Sequence, residues 1–190
     1  MTELEHIMRR IREKKKPGER FLISIDGRCA AGKTTFAGEL GEKLECAVFH
    51  MDDFFLSGDL RTKERLDTPG ENVDHERFLK EILIPLRKGE ERITLHAFDC
   101  KSQSFMPSAY IPAGEICIIE GAYSNHPDLW DYYDLHLFMD ISPEGQQSRI
   151  RKRNGEDGLE VFLKRWIPLE EKYFMHYNLK DKCDYSFTTE

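Results

Sequence analysis

Little in this chain points to an oxidising compartment, a membrane or a polyanionic partner. Its 190 residues include five cysteines, an odd number with no C-x-x-C pair, so the spacing encodes neither a disulfide framework nor a zinc ribbon. Cys29, Cys46, Cys100, Cys117 and Cys183 are expected as small apolar residues of a reducing cytoplasm. No apolar run reaches membrane-spanning length, and the basic N-terminus (Arg9, Arg10, Arg12, Lys14, Lys15, Lys16) lacks the apolar stretch of a secretory signal. Positive charge is in deficit: 28 Lys and Arg against 35 Asp and Glu give a formal net charge of −7. That balance argues against a nucleic-acid surface, because phosphate backbones repel such a protein overall. Internal repeats and low-complexity tracts are missing as well. With 39% hydrophobic and 33% charged residues, the expectation is one globular domain over 1–190, cytoplasmic, with no membrane or nucleic-acid partner.

What is present is an alternation of apolar strands and amphipathic helices. Leu4, Ile7, Met8 and Ile11 form a helical stripe, opened by a capping box at Thr2 and Glu5 and stopped by Pro17-Gly18, which predicts an N-terminal helix within 1–18. FLISID (Phe21 to Asp26), CAVFHM (Cys46 to Met51), EICIIE (Glu115 to Glu120), DLHLFMD (Asp134 to Asp140) and CDYSF (Cys183 to Phe187) read as strands. Phe78, Leu79, Ile82, Leu83 and Leu86 mark a helix headed by Asp74. ITLHAF and the stretch around Ser108 to Ile111 predict a hairpin flap over 92–112. Ser142-Pro143 opens a further helix, and Leu159 to Tyr177 is helical with Pro168 as an expected kink. This order predicts an α/β fold, a five-stranded parallel sheet covered on both faces, with ligands at the carboxyl ends of the strands.

The residues that carry chemistry fall at those ends. Gly27 to Thr34 reads GRCAAGKT, the G-x-x-x-x-G-K-[ST] pattern of a phosphate-binding P-loop, between a strand and a helix. Gly27, Ala30, Ala31, Gly32, Lys33, Thr34 and Thr35 are its expected phosphate contacts, with Lys33 reaching the β- and γ-phosphates and the Thr34 hydroxyl on Mg²⁺. Asp52-Asp53 follow the second strand and Glu120-Gly121 the third. Phosphoryl transfer to a small molecule needs a second metal ligand, a base for the attacking hydroxyl and cations over the transferring group. Glu120, Asp52 and the Arg149, Arg151, Lys152, Arg153 cluster, beside Gly155 and Gly158, can supply them. A lid over 149–158 follows, against the alternative of a solvated helix end. Asp67 to Gly70 (DTPG) resembles a GTPase switch string, but RTKERL precedes it where a switch needs an apolar strand, and N-K-x-D is absent. It reads as a turn. Trp166, Tyr173 and Phe174 read as packing rather than base stacking.

The ordered set of P-loop, MDDFF, NVDHERF, IIEGAY and RIRKRNGE resembles the uridine kinase and phosphoribulokinase-like group of P-loop kinases, over nearly all the chain after the first helix. FDCK (Phe98 to Lys101) and WIPLEE (Trp166 to Glu171) bring it nearest to a bacterial uridine kinase-like branch. The resemblance implies ATP (or GTP) as donor with Mg²⁺, and a small hydroxylated acceptor, uridine or cytidine first. It implies Asp52 as catalytic base, Lys33, Arg149 and Arg153 on the transferring group, Thr34 and Glu120 at the metal, and Asp74 on ribose hydroxyls. Asp74 is otherwise an N-cap by default. Asp53, His96 and Phe98 complete the candidate acceptor contacts. The pyrimidine-reading histidine of uridine-cytidine kinases has no clear equivalent in HAFDCKSQSF (His96 to Phe105), which leaves pantothenate, ribosylnicotinamide or a sugar phosphate as alternative acceptors. A nucleotide-dependent switch is the alternative outside enzymes. Relatives often assemble, which admits a homo-oligomer, although no sequence stripe marks an interface.

Overall fold

The computed structural model describes residues 2–190. Its centre is a five-stranded parallel sheet in the order β2-β7-β1-β8-β9, formed by β1 (Phe21–Gly27), β2 (Ala47–His50), β7 (Ile116–Glu120), β8 (Leu135–Ile141) and β9 (Tyr185–Thr189). The fold predicted from the strand and helix alternation is therefore borne out. Every residue of β1 and β8 is buried, as expected of parallel strands covered on both faces. One face packs Leu22, Phe49, Ile119 and Phe138 against Phe78, Leu83 and Tyr173. The other packs Ile23, Ile25 and Leu137 against Ile7 and Ile11 of the N-terminal helix (Glu3–Lys14) and Ala37 and Leu40 of the P-loop helix (Lys33–Leu44). The capping box at Thr2 and Glu5 is present.

The flap consists of two short antiparallel ladders. β3 (Arg92–Leu95) pairs with β6 (Ala109–Pro112), and β4 (Phe98–Asp99) with β5 (Ser104–Phe105). Two prolines that would break helices are accommodated differently from the expected kink. A π-helical turn, Leu79–Leu83, precedes Pro85, and another, Phe162–Trp166, precedes Pro168. Widening the turn relieves the clash of each ring with the carbonyl four residues back, so the helix continues. The helix Pro143–Val161, capped by Ser142, is interrupted at Gly155 (φ 74°, ψ −179°). DTPG begins at Asp67, the last residue of the short helix Lys63–Asp67, not at the end of a sheet strand.

Two features fix the sheet's carboxyl edge. Gly27 has φ +132°, and a Cβ there would lie 2.0 Å from the Met139 carbonyl oxygen, so only glycine lets β1 turn into the loop beside β8. Its neighbour Asp26 is fully buried. The Asp26 carboxylate accepts from the backbone N–H groups of Gly27 (2.7 Å), Tyr123 (3.1 Å) and Asn125 (2.9 Å) and from the Tyr173 hydroxyl (2.9 Å). Replacing one carboxylate oxygen with an NH₂ sets donor against donor in a dry site. Asp26→Asn is therefore expected to cost about 3 kcal/mol of stability, read as a lower urea midpoint with an unchanged slope.

Candidate active site

A cleft of about 930 Å³ opens where the strand ends converge. The P-loop forms one wall. Its first amides belong to a helix start with no intrahelical acceptors, and Ala30 (φ 64°) holds the left-handed conformation that turns the loop. Lys33, 8% exposed, donates to the carbonyls of Gly27 (2.6 Å) and Arg28 (3.0 Å). Thr34 Oγ1 stands 3.2 Å from both carboxylate oxygens of Glu120. Glu120 in turn lies 2.5 Å from Nδ1 of His50, and that hydrogen bond raises the imidazole's pKa. His50 and Glu120 are register partners on β2 and β7, so the strand pairing itself brings them together. A hydroxyl and a carboxylate this close are hard oxygen donors of the kind Mg²⁺ takes.

Asp52 and Asp53 sit in the 3₁₀ turn Met51–Phe54 that continues β2. Asp52 lines the cleft. Its carboxyl is pushed up by burial and by Glu120 and Asp53, against the pull of Lys33 and His50. The opposite wall comes from the helices after β8. Arg149 donates to the Ala30 carbonyl at 3.0 Å and also to the Glu190 carbonyl, and Arg153 donates to the Asn154 side chain at 2.8 Å. Both arginines line the cleft.

The cleft thus gathers Ala30, Gly32, Lys33, Thr34, Thr35, Asp52, Glu120, Arg149 and Arg153. Gly27 and the buried Ala31 stand behind it as loop framework. The expected acceptor contacts Asp53, Asp74, His96 and Phe98 are not among its lining residues. Asp74 accepts from the Arg77 backbone N–H (3.0 Å) and its Nε (3.3 Å), which is the N-cap alternative. His96 Nδ1 lies 3.2 Å from Glu81, and Phe98 is 6% exposed and packs edge-on against Phe105. The Asp53 carbonyl accepts from Arg77 at 3.2 Å. Arg77 also donates to the His96 carbonyl (2.8 Å) and lies over the Phe54 and Phe105 rings. These segments are thereby turned toward the Arg77 guanidinium.

Further residues line the cleft; of these the sequence marks only Lys101, in the segment compared with the pyrimidine-reading motif, as a candidate acceptor contact. Arg61, Asn72, Tyr123, Lys101 and Glu170 face the cleft, as does Trp166, which the sequence assigned to packing. Tyr173 and Phe174 are core, as expected. Tyr123 holds φ 73°, a strained value for a bulky residue, while Asn72 Nδ2 donates to its hydroxyl at 3.3 Å. Glu170, 6% exposed, accepts the Cys29 amide at 2.9 Å, and Glu171 pairs with Arg28 at 2.9 Å.

Two further features lie outside the cleft. Glu71, His75 and His126 place one ligand-type atom each within 4.8 Å of the others. His126 Nδ1 accepts from the Asp128 amide at 3.2 Å, so its proton sits on Nε2, the atom a metal would need bare. Arg65 already pairs with Glu71 at 3.3 Å. The cluster is therefore a polar brace. A groove of about 800 Å³ beside Arg20 and Glu115 lies at the amino ends of β1 and β7, and Arg20 spends its guanidinium on the carbonyls of Leu86, Glu90, Ala113 and Gly114.

A strand-borne P-loop, an acid at each of two neighbouring strand ends and arginines from a broken helix define the P-loop kinase fold. No protein-family model matches the chain. Among curated proteins, uridine kinase-like protein 3 from Arabidopsis thaliana is 26% identical over 153 residues, covering 75% of this chain and 32% of that protein. The chain thus spans about a third of the length of this curated relative. Among solved structures, a possible uridine kinase from Bacillus stearothermophilus superposes with a TM-score of 0.73 at 20% identity, over 97% of this chain and 96% of that one. D-glycerate 3-kinase from Cryptococcus neoformans gives 0.68 at 14% identity, over 98% and 92%. The resemblance read from the motifs is borne out in these relatives, and the structural likenesses establish the fold.

Glu170→Ala would leave the buried Cys29 amide without its acceptor. The variant is expected to lose about 1–3 kcal/mol of stability and to bind ATP more weakly, measured by denaturation and by calorimetric titration.

Proposed function

We propose that the chain is a small-molecule kinase that transfers the γ-phosphoryl group of ATP to a hydroxyl of a small acceptor. The observation that carries this reading is the placement of Asp52 in the same cleft as Lys33, Thr34 and Glu120. A nucleotide switch needs the last three. A carboxylate base facing the phosphate site is what an alcohol acceptor requires.

The assignment of roles follows from position. Lys33 leaves its loop carbonyls to neutralise phosphate charge, and the first-turn amides of the P-loop helix bind phosphate oxygens. Thr34 and Glu120 would hold Mg²⁺, which when bound neutralises charge on the phosphate oxygens. Asp52 accepts the acceptor's hydroxyl proton as the new oxygen–phosphorus bond forms. The bond from that phosphorus to the β-phosphate oxygen breaks, ADP departs, and the proton passes from Asp52 to solvent. Arg149 and Arg153 stabilise the equatorial oxygens and, with Phe162 and Trp166, keep water from competing for the phosphoryl group. The Gly155 break gives the helix that carries both arginines a place to bend. The curated relative's name makes uridine the first acceptor to assay, with cytidine beside it as the resemblance of the motifs suggests. Asp53, Asp74, His96 and Phe98 take no part in the acceptor site of this reading.

Asp52→Asn is expected to lower kcat by about 10²–10⁴ while ATP still binds. Burial raises the Asp52 carboxyl above the ordinary aspartate value of 3.8, so the active, deprotonated base is lost as pH falls through that raised value. The acidic limb of the kcat/KM profile should accordingly lie above 3.8 and disappear in Asp52→Asn. Near-normal turnover in the variant would remove Asp52 from the chemistry. ATP binding without ADP release across nucleosides, pantothenate and sugar phosphates would favour a switch.

A further inference from the structure

The half of the cleft away from the P-loop and the arginine-bearing helix has a composition that a neutral acceptor does not explain. Its wall is built from Asp52 to Asn72 and from the flap tip, and it presents Arg61, Asn72 and Lys101. Among the described residues neither Arg61 nor Lys101 makes a side-chain hydrogen bond or an ion pair, in a chain carrying seven excess negative charges. Nearly every other arginine that the fold folds inward is spent: Arg20 on four carbonyls, Arg28 on Asp140 and Glu171, Arg65 on Glu71 and Glu76, Arg77 on Asp74. Asp52, Arg61 and the flap-tip residues Cys100 and Lys101 all line the same cleft, so the cation, the flap tip and the proposed base border one space. Asn72 adds a second requirement. It is 5% exposed, and with its Nδ2 given to Tyr123 its Oδ1 is buried without a hydrogen-bond partner. A buried acceptor without a partner beside a cleft can take a donor from a ligand or a water that reaches it.

We propose that the acceptor is a polyhydroxylated small molecule bearing its own anionic group, a phosphate or a carboxylate. Arg61 and Lys101 hold the anion, Asn72 Oδ1 accepts from one hydroxyl, and a second hydroxyl is directed at Asp52. The proposal rests on the kinase reading and narrows its substrate class. The reaction is the transfer described above, so the product carries two anionic groups. Charge-assisted hydrogen bonds are worth about 1.5–3 kcal/mol each, which corresponds to about 10- to 100-fold in affinity.

The test compares D-ribose 5-phosphate and D-glycerate with D-ribose and uridine, by calorimetry on the Mg·ADP-loaded protein and by ADP release. At least one anionic probe should bind about tenfold or more tightly than D-ribose. Arg61→Gln and Lys101→Gln should each weaken it about tenfold, with Arg61→Lys restoring part of the loss and the KM for ATP unchanged. Both side chains lack partners, so the variants should keep the parent melting temperature. The proposal is overturned if neither anionic probe binds, if the variants bind it undiminished, or if uridine or D-ribose shows the higher kcat/KM. Arg61-dependent binding of an anionic probe without any ADP release would uphold the anion site and sink the kinase reading instead. A phosphate preference over a carboxylate, or the reverse, identifies which anion the pair serves.

Discussion

The carboxylate of Asp26 is buried at the point where β1 ends, and three cleft walls hang from its hydrogen bonds. One oxygen meets the Gly27 and Tyr123 amides, and the other meets the Asn125 amide and the Tyr173 hydroxyl. Taking an ionised carboxylate out of water costs several kcal/mol even after relaxation, and burial does raise this carboxyl, while the Asn125 and Gly27 amides, the Tyr173 hydroxyl and Lys33 pull the other way. What the fold gains is fixed distance. The start of the P-loop, the loop after β7 and the helix Ile167–Tyr177 share one small acceptor, so none can drift without breaking a buried bond. The strained φ of Tyr123 persists because Asp26 holds its amide and Asn72 its hydroxyl.

A second set of contacts secures the P-loop from the side of the broken helix. Gln146 donates to the Cys29 carbonyl (3.1 Å) and Arg149 to that of Ala30 (3.0 Å), both from the segment before Gly155. Glu170 takes the Cys29 amide and Glu171 the Arg28 guanidinium, both from the segment after it. The two halves of the helical excursion therefore grip adjacent peptides of the same loop. Arg153 and Asn154 lie between those grips, beside the break at Gly155. Such a double hold fixes the aim of the loop's amides.

Much of this was legible from sequence, and the reason is locality. The P-loop needs eight consecutive residues, the five strands are continuous apolar runs, and Asp52 and Glu120 follow from being next to such runs. The N-caps at Thr2, Asp74 and Ser142 depend on residues three positions away. The acceptor wall is different. Arg61 and Lys101 are forty residues apart in sequence yet line one cleft, and no local sequence pattern links them. His96 and Phe98 sit in the segment that motif comparison favoured. Arg77, a residue with no motif of its own, draws its neighbours elsewhere with hydrogen bonds to Asp74, the Asp53 carbonyl and the His96 carbonyl. The π-turns before Pro85 and Pro168 were illegible for a related reason: a proline in a helix announces a disturbance but not whether the chain kinks or widens.

The distribution of charge ties the chemistry to the fold more tightly than the net charge suggests. The cleft is lined by Lys33, Arg61, Lys101, Arg149 and Arg153 against Asp52, Glu120 and Glu170, a positive balance inside an acidic protein. The carboxylates are gathered where β2 and β7 end, and burial together with Glu120 raises Asp52 and Asp53. Glu120 and Asp53 push Asp52 up, while Lys33 and His50 oppose them. The base proposed at Asp52 would have to be basic enough to take a hydroxyl proton yet remain ionised at neutral pH, and burial against the opposed nearby charges would set that compromise. Any cation placed nearer to Asp52 would lower its basicity. Arg61 and Lys101 line the same cleft, where an anionic group on the proposed acceptor would meet them while its hydroxyl reaches the acids at the strand ends.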